Sequence, residues 1–185
     1  MIRRSGFFAC LFLGAAVAAA GQTRDQNWDK CKADDPDTSI AGCTALIQAG
    51  QESTADLASA YFDRGIAYRD KKEYDLALQD LDEALKLKPD FSGALNTRGN
   101  VYSDKGEKER AMADYNDAIR LDPSYALAYY NRGNDWGDQK EWDKAIADYN
   151  VYVQKAPTDP DGFNNRGHAY MMNSDYDRAL QDYQE

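Results

Sequence analysis

Four glycines, Gly65, Gly99, Gly133 and Gly167, stand 34 residues apart, and each follows an arginine: Arg64, Arg98, Arg132 and Arg166. The register extends to the side chains around them. An aromatic lies three residues after each glycine (Tyr68, Tyr102, Trp136, Tyr170) and an alanine twelve after it (Ala77, Ala111, Ala145, Ala179). Leu81, Tyr115, Tyr149 and Tyr183 come sixteen after, and Pro89, Pro123 and Pro157 twenty-four after. A fixed period of this length means like units packed in a row.

Each unit reads as two helices. In residues 61–70, Tyr61, Gly65 and Tyr68 fall at helical spacing with polar residues between them. A short polar break follows, then residues 74–87, with Ala77, Leu81, Ala84 and Leu85 on one stripe. The proline just beyond stops the second helix. Glycine and alanine at the contact let the two antiparallel helices approach closely, and aromatics fill the space around them. An isolated hairpin of this kind cannot bury its apolar face, so neighbouring hairpins must stack.

These columns resemble the tetratricopeptide repeat over roughly residues 58–185. The resemblance implies an all-α solenoid of antiparallel helix hairpins wound as a right-handed superhelix. Full units are expected at 58–91, 92–125 and 126–159, with an incomplete one at 160–185. One column departs from the family, which usually places a buried leucine where this chain has its four arginines. Asp80, Asp114, Asp148 and Asp182 follow those arginines by sixteen residues each. The joint recurrence predicts a partly buried ion pair, within a unit or to the next, with a guanidinium suited to bidentate pairing.

Stepping back 34 residues from Gly65 and Ala77 reaches Cys31 and Cys43, and Ile40 and Ile47 fall on apolar columns. Residues 21–57 therefore read as a degenerate hairpin capping the array, its first helix cut short by Pro36. Two cysteines on the contact columns of an exported protein predict a structural disulfide worth about 3 kcal/mol on the chain-entropy model. They lack the C-x-x-C spacing and neighbouring histidine of a redox or metal pair.

Residues 1–20 run from a basic start, with Arg3 and Arg4, through an apolar stretch to small residues before Gly21. That layout predicts a secretory signal peptide and a periplasmic or secreted mature chain. The apolar stretch is shorter than the roughly 20 residues of a spanning helix, so no membrane insertion of the mature chain is expected. The chain carries 22 Lys and Arg against 32 Asp and Glu, a net charge of −10 that becomes −12 without residues 1–20. So acidic a surface repels phosphate backbones and argues against a nucleic-acid partner. With one histidine, no glycine-rich phosphate loop and no H-E-x-x-H pattern, the sequence offers no catalytic residues, metal site or cofactor.

The resemblance further implies that the first helices of successive units line a concave groove for an extended peptide or a partner helix. The expected groove residues are Phe62, Ile66 and Arg69, then Asn96, Asn100 and Asp104, then Tyr130, Asn134 and Asp138, then Asn164, His168 and Met171. Asparagine amides suit gripping a peptide backbone. The family's clamp for a terminal carboxylate has no match, because its places hold Phe62, Asn96, Thr97, Asn131 and Asn165, with no lysine. Asp70, Asp104 and Asp138 make one rim acidic and point to a neutral or basic partner. The expectation is a non-enzymatic protein-interaction scaffold. Its alternatives are a docking portion of a larger exported enzyme, or a structural module that self-associates through the C-terminal hairpin. The sequence given stops inside the second helix of its last unit, which motivates both.

Overall fold

The computed structural model describes residues 22–185, so the signal-peptide expectation at 1–20 lies outside the described residues. The described chain is ten α-helices with no strand. They pair as consecutive hairpins: α1 (Arg24–Cys31) with α2 (Pro36–Ala49), α3 (Thr54–Asp70) with α4 (Tyr74–Leu87), and α5 (Ser92–Asp104) with α6 (Lys108–Leu121). α7 (Ala126–Asp138) pairs with α8 (Trp142–Lys155), and α9 (Pro160–Met172) with α10 (Tyr176–Asp182). The all-α solenoid is as expected.

Local chemistry sets the helix ends. Thr23 and Gln26 form a reciprocal capping box at the start of α1. Asp35 and Asp159 cap α2 and α9 by accepting backbone N–H bonds, each just before a proline at the first helical position. Pro36 thus opens α2, whereas α1 has already stopped at Cys31, which corrects its expected role as the residue that cuts α1 short. Ser53 caps α3, which begins at Thr54. Between the paired helices the chain turns through a left-handed residue that also recurs every 34 positions: Lys72, Gly106, Lys140 and Ser174.

The glycine column works by close approach to the side chain sixteen residues on. A Cβ on Gly99 would sit 2.6 Å from the Tyr115 ring, and one on Gly133 would sit 2.9 Å from the Tyr149 ring. Those side chains are almost wholly buried along with the alanine column. In the first hairpin the backbones come closer still. A Cβ on Gly42 would meet the Cys31 nitrogen at 2.5 Å, and the Cα atoms of Cys31 and Cys43 are 4.5 Å apart with their sulfurs at a bonding 1.99 Å.

The arginine column joins each hairpin twice. Arg64, Arg98, Arg132 and Arg166 each bind both carboxylate oxygens of Asp80, Asp114, Asp148 and Asp182 in their own hairpin, at 2.6–2.8 Å. The remaining guanidinium nitrogen reaches back to the second helix of the preceding hairpin, to Thr44, Asp82, Asn116 and Asn150 in turn. The aspartates are nearly buried, so bidentate pairing meets their desolvation cost while the same fork links neighbouring units. Successive first helices touch one another and successive second helices do not, which places α1, α3, α5, α7 and α9 on the inner side of the curve.

Candidate functional site

The inner face is built mainly from residues that hold one another. Asn131 donates its amide to Asn96 Oδ1 of the preceding unit at 3.0 Å, and Asn165 donates to the Tyr130 hydroxyl at 2.9 Å and to Asn134 Oδ1 at 3.0 Å. The hydroxyls of Tyr115 and Tyr149 donate to Asn100 and Asn134 at 2.8 and 2.7 Å. Burial pushes both phenols well above their ordinary range, so each stays a neutral donor.

The structure revises the picture of free asparagine amides. Asn96 is only 3% exposed and faces its neighbour, not solvent. Asn100 and Asn134 are partly buried and already accept hydrogen bonds, whereas Asn164 stands exposed. The rim carboxylates are also engaged. Arg69 Nε donates to Asp104 at 2.7 Å across the seam between the α3/α4 and α5/α6 hairpins, and Lys108 Nζ binds Asp138 at 3.0 Å across the next. Asp70 is exposed beside the first seam.

Apolar anchors sit among these ladders. Phe62 packs against Phe91 with ring centroids 4.7 Å apart, and Tyr130 meets Tyr152 at the same separation. His168 is exposed, edge-on to the Trp142 ring at 6.0 Å, and Met171 is exposed near it in sequence on α9. Ile66 is partly buried along the seam between the cap and the first full unit. Among the described residues, no group of three or more His, Cys, Asp or Glu is placed to hold a metal ion, and no helix is long and apolar enough to cross a membrane.

Three cavities open along this face. One of about 270 Å³ lies at the last seam beside Trp142, Tyr149 and His168. Gly137, which lines it, stands where Arg69 and Ser103 stand in earlier units. The others, of about 300 and 450 Å³, flank Asp63 at the first seam. The repeat columns give one signal for Asp63, which is the acid in a column otherwise made of Thr97, Asn131 and Asn165. Asp135 is likewise an acid in a column of Ala67, Val101 and Ala169. Asp135 is 3% exposed and accepts from Ser103 at 2.5 Å and Lys108 at 3.0 Å, closing the middle seam.

A family model described as "TPR repeat" matches residues 99–134, and another described as "Tetratricopeptide repeat" matches residues 58–91. Among solved structures, a crystal structure of MamA is similar with a TM-score of 0.71 at 23% identity, covering 88% of this chain and 91% of that one. MamA 41-end from Desulfovibrio magneticus RS-1 gives a TM-score of 0.71 at 18% identity, covering 87% and 89%. A crystal form of MamA AMB-1 gives 0.65 at 16% identity, covering 87% and 86%. These likenesses are of fold.

Proposed function

The chain belongs to the tetratricopeptide repeat family, and on that premise we propose that it is an exported, non-enzymatic protein-interaction scaffold. A partner segment docks along the inner face of α3, α5, α7 and α9. The observation that carries this reading is the set of side-chain ladders across the three seams from α3 to α9, which holds the inner face in one shape before any partner arrives. A preorganised surface avoids much of the ordering cost of association. Phe62, Ile66, Tyr130, Asn164 and His168 supply the contact groups, and the seam cavities supply sockets. Export is supported by the signal-like residues 1–20 and by the Cys31–Cys43 pairing.

Site-specific photo-crosslinking tests the reading. Crosslinkers at Ile66 and Asn164 on the inner face are compared with crosslinkers at the exposed Ala113 and Ala147 on second helices. In an exported-protein fraction, the inner positions should capture one discrete partner and the outer positions none. Capture from the outer positions alone overturns the inner-face reading.

One observation favours a second reading, self-association through the last hairpin. Tyr176, Leu180 and Tyr183 are 66%, 60% and 47% exposed, while Ile146 and Tyr149, the counterparts of Leu180 and Tyr183 one unit earlier, are 9% and 4% exposed. An apolar face of this kind marks an interaction surface. Light scattering of Leu180→Lys against the parent chain over a concentration series decides it: association in the parent that the lysine abolishes supports this reading, and monomers throughout exclude it.

A further inference from the structure

Asp63 occupies a position that two of its three counterparts use to grip the preceding unit. Asn131 and Asn165, one and two units beyond Thr97 in the same column, donate amide N–H groups backwards across their seams. A carboxylate has no proton to give, so Asp63 can only accept. Across its seam lies the end of α1, and that end offers nothing to accept from. The nearest polar contact is Cys31 Sγ, 4.0 Å from Asp63 Oδ2, and a disulfide sulfur carries no proton. The Lys32 ammonium is turned over the Trp28 ring, 5.3 Å from its centroid. Among the described residues, none donates a hydrogen bond or forms an ion pair to Asp63.

The carboxylate is partly buried in this state, which is costly for a charge without a partner. Burial accordingly raises its pKa to about 6, against the smaller opposing pull of Lys32. Four paired arginines in the same chain make the contrast plain, because there every buried aspartate oxygen of the column has its donor. Asp63 lines two open cavities, together with Lys32. The larger, of about 450 Å³, is walled by Trp28, Phe62 and Phe91 with Asp56 at its edge. The smaller, of about 300 Å³, runs past Ile66 and Ala67 towards Asp34 and Asp70.

We propose that Asp63 is the anchor for a guanidinium side chain of the docked partner segment, whose methylene stem lies against Phe62 and Phe91 in the larger cavity. A planar fork can satisfy both carboxylate oxygens together, which a single ammonium cannot do as well. The aromatic walls favour a weakly hydrated, delocalised cation. The charged groups around the site are Arg24 and Lys32 from the α1 side, Asp34 in the loop after α1, and Asp56 and Asp70 on α3. Arg24 is already held by Glu52 and Asp56, so it does not compete for Asp63. The inference rests on the inner-face reading only for where the arginine comes from.

A small-molecule titration tests the anchor without a known partner. The full chain, with its disulfide intact, is followed by NMR at pH 7 against n-butylguanidinium and its neutral isostere n-butylurea. Saturable shifts at Phe62, Asp63 and Phe91 with the guanidinium and not the urea support the anchor. Asp63→Asn should weaken that binding at least ten-fold, and the probe should lower the titration midpoint of the Asp63 carboxyl. Equal shifts with the urea, undiminished binding to Asp63→Asn, or shifts confined to exposed carboxylates such as Asp138 overturn it. The isostere comparison needs no variant, and a failed inner-face crosslink leaves its outcome unaffected.

Discussion

Arg98 holds both carboxylate oxygens of Asp114 at 2.8 Å and extends its third nitrogen to Asp82 of the preceding hairpin at 2.7 Å. One guanidinium thus fixes the two helices of a unit and the spacing to the next. Asp114 is nearly buried, and Asp82 is mostly exposed. Most of the energetic consequence therefore sits on the Asp114 side. Arg98→Leu, which restores the family's usual residue, should destabilise by about 3 kcal/mol because it strands a buried charge. Replacing Asp114 with leucine as well should recover much of that loss, and urea unfolding of the four-member cycle measures the coupling. Additive effects would show that the arginine is not the partner of a buried charge.

The left-handed turn column carries a smaller, separable strain. Lys72 and Lys140 hold φ of 61° and 62°, where the equivalent Gly106 sits at 80° without a Cβ to object. Lys72→Gly and Lys140→Gly should each stabilise by about 0.5–1 kcal/mol, and Gly106→Ala should destabilise by a similar amount. Thermal unfolding of the three variants checks the signs. Lys72 and Lys140 are exposed, so neither exchange removes a packed side chain.

The period of 34 made the hairpins legible because glycine, alanine and the residue at plus sixteen must meet in every unit, whatever lies outside. The arginine–aspartate pairing was legible for the same reason. Periodicity fails where a residue's role depends on what the neighbouring unit happens to present. The repeat places Asn96 towards the groove, yet Asn131 of the next unit covers it and leaves it buried. Asp104 and Asp138 recur as an acidic rim in the sequence, yet Arg69 and Lys108 reach across the seams to pair them. Asp63 is not legible in this way, because its meaning lies in a donor that the cap does not supply, an absence a single sequence does not display.

The first hairpin should depend on its crosslink more than any other depends on a single bond. α1 has eight residues and one buried side chain, Cys31, so it has little packing of its own. Thiol labelling under denaturing, non-reducing conditions should find Cys31 and Cys43 unreactive. In the Cys31→Ser, Cys43→Ser variant, amides of α1 should exchange as fast as loop amides, while α6 and α8 keep their protection. Loss of protection throughout the array would mean that the cap nucleates the solenoid instead of sealing it.

Acid should act on this protein in two windows of opposite sign. Asp63 binds its proton more tightly folded than unfolded, so its contribution favours folding as pH falls from about 6 towards the ordinary carboxylate range. Asp35, Asp122, Asp159 and Asp175 are held below their ordinary values, chiefly by side-chain hydrogen bonds from Thr38, Ser124, Tyr152 and Arg178. Their stabilisation is lost at lower pH, as each is forced to take a proton. Stability measured between pH 7 and 2 should therefore rise slightly before it falls. Asp63→Asn should erase the rise and leave the fall. A parent profile that is flat between pH 6 and 4 would show that Asp63 is solvated as an ordinary surface acid.

The last helix should be the most labile of the second helices. α10 has seven residues, well below the length at which an isolated helix persists in water. Its attachments are Ala179 and Asp182, both nearly buried, the latter held by Arg166 at 2.6 and 2.8 Å. Its other apolar residues lack cover. Leu180 is 60% exposed where Ile146 is 9% exposed, because α9 packs over α8 and no described element packs over α10. Hydrogen exchange on a dilute, demonstrably monomeric sample should show amides of Tyr176–Asp182 exchanging much faster than those of Trp142–Lys155. Raising the concentration should slow exchange at α10 alone if a second copy covers that face. Equal protection of the two helices in the monomer would mean that the Arg166–Asp182 fork and Ala179 suffice to hold α10, and the exposed face would lose its claim as an interface.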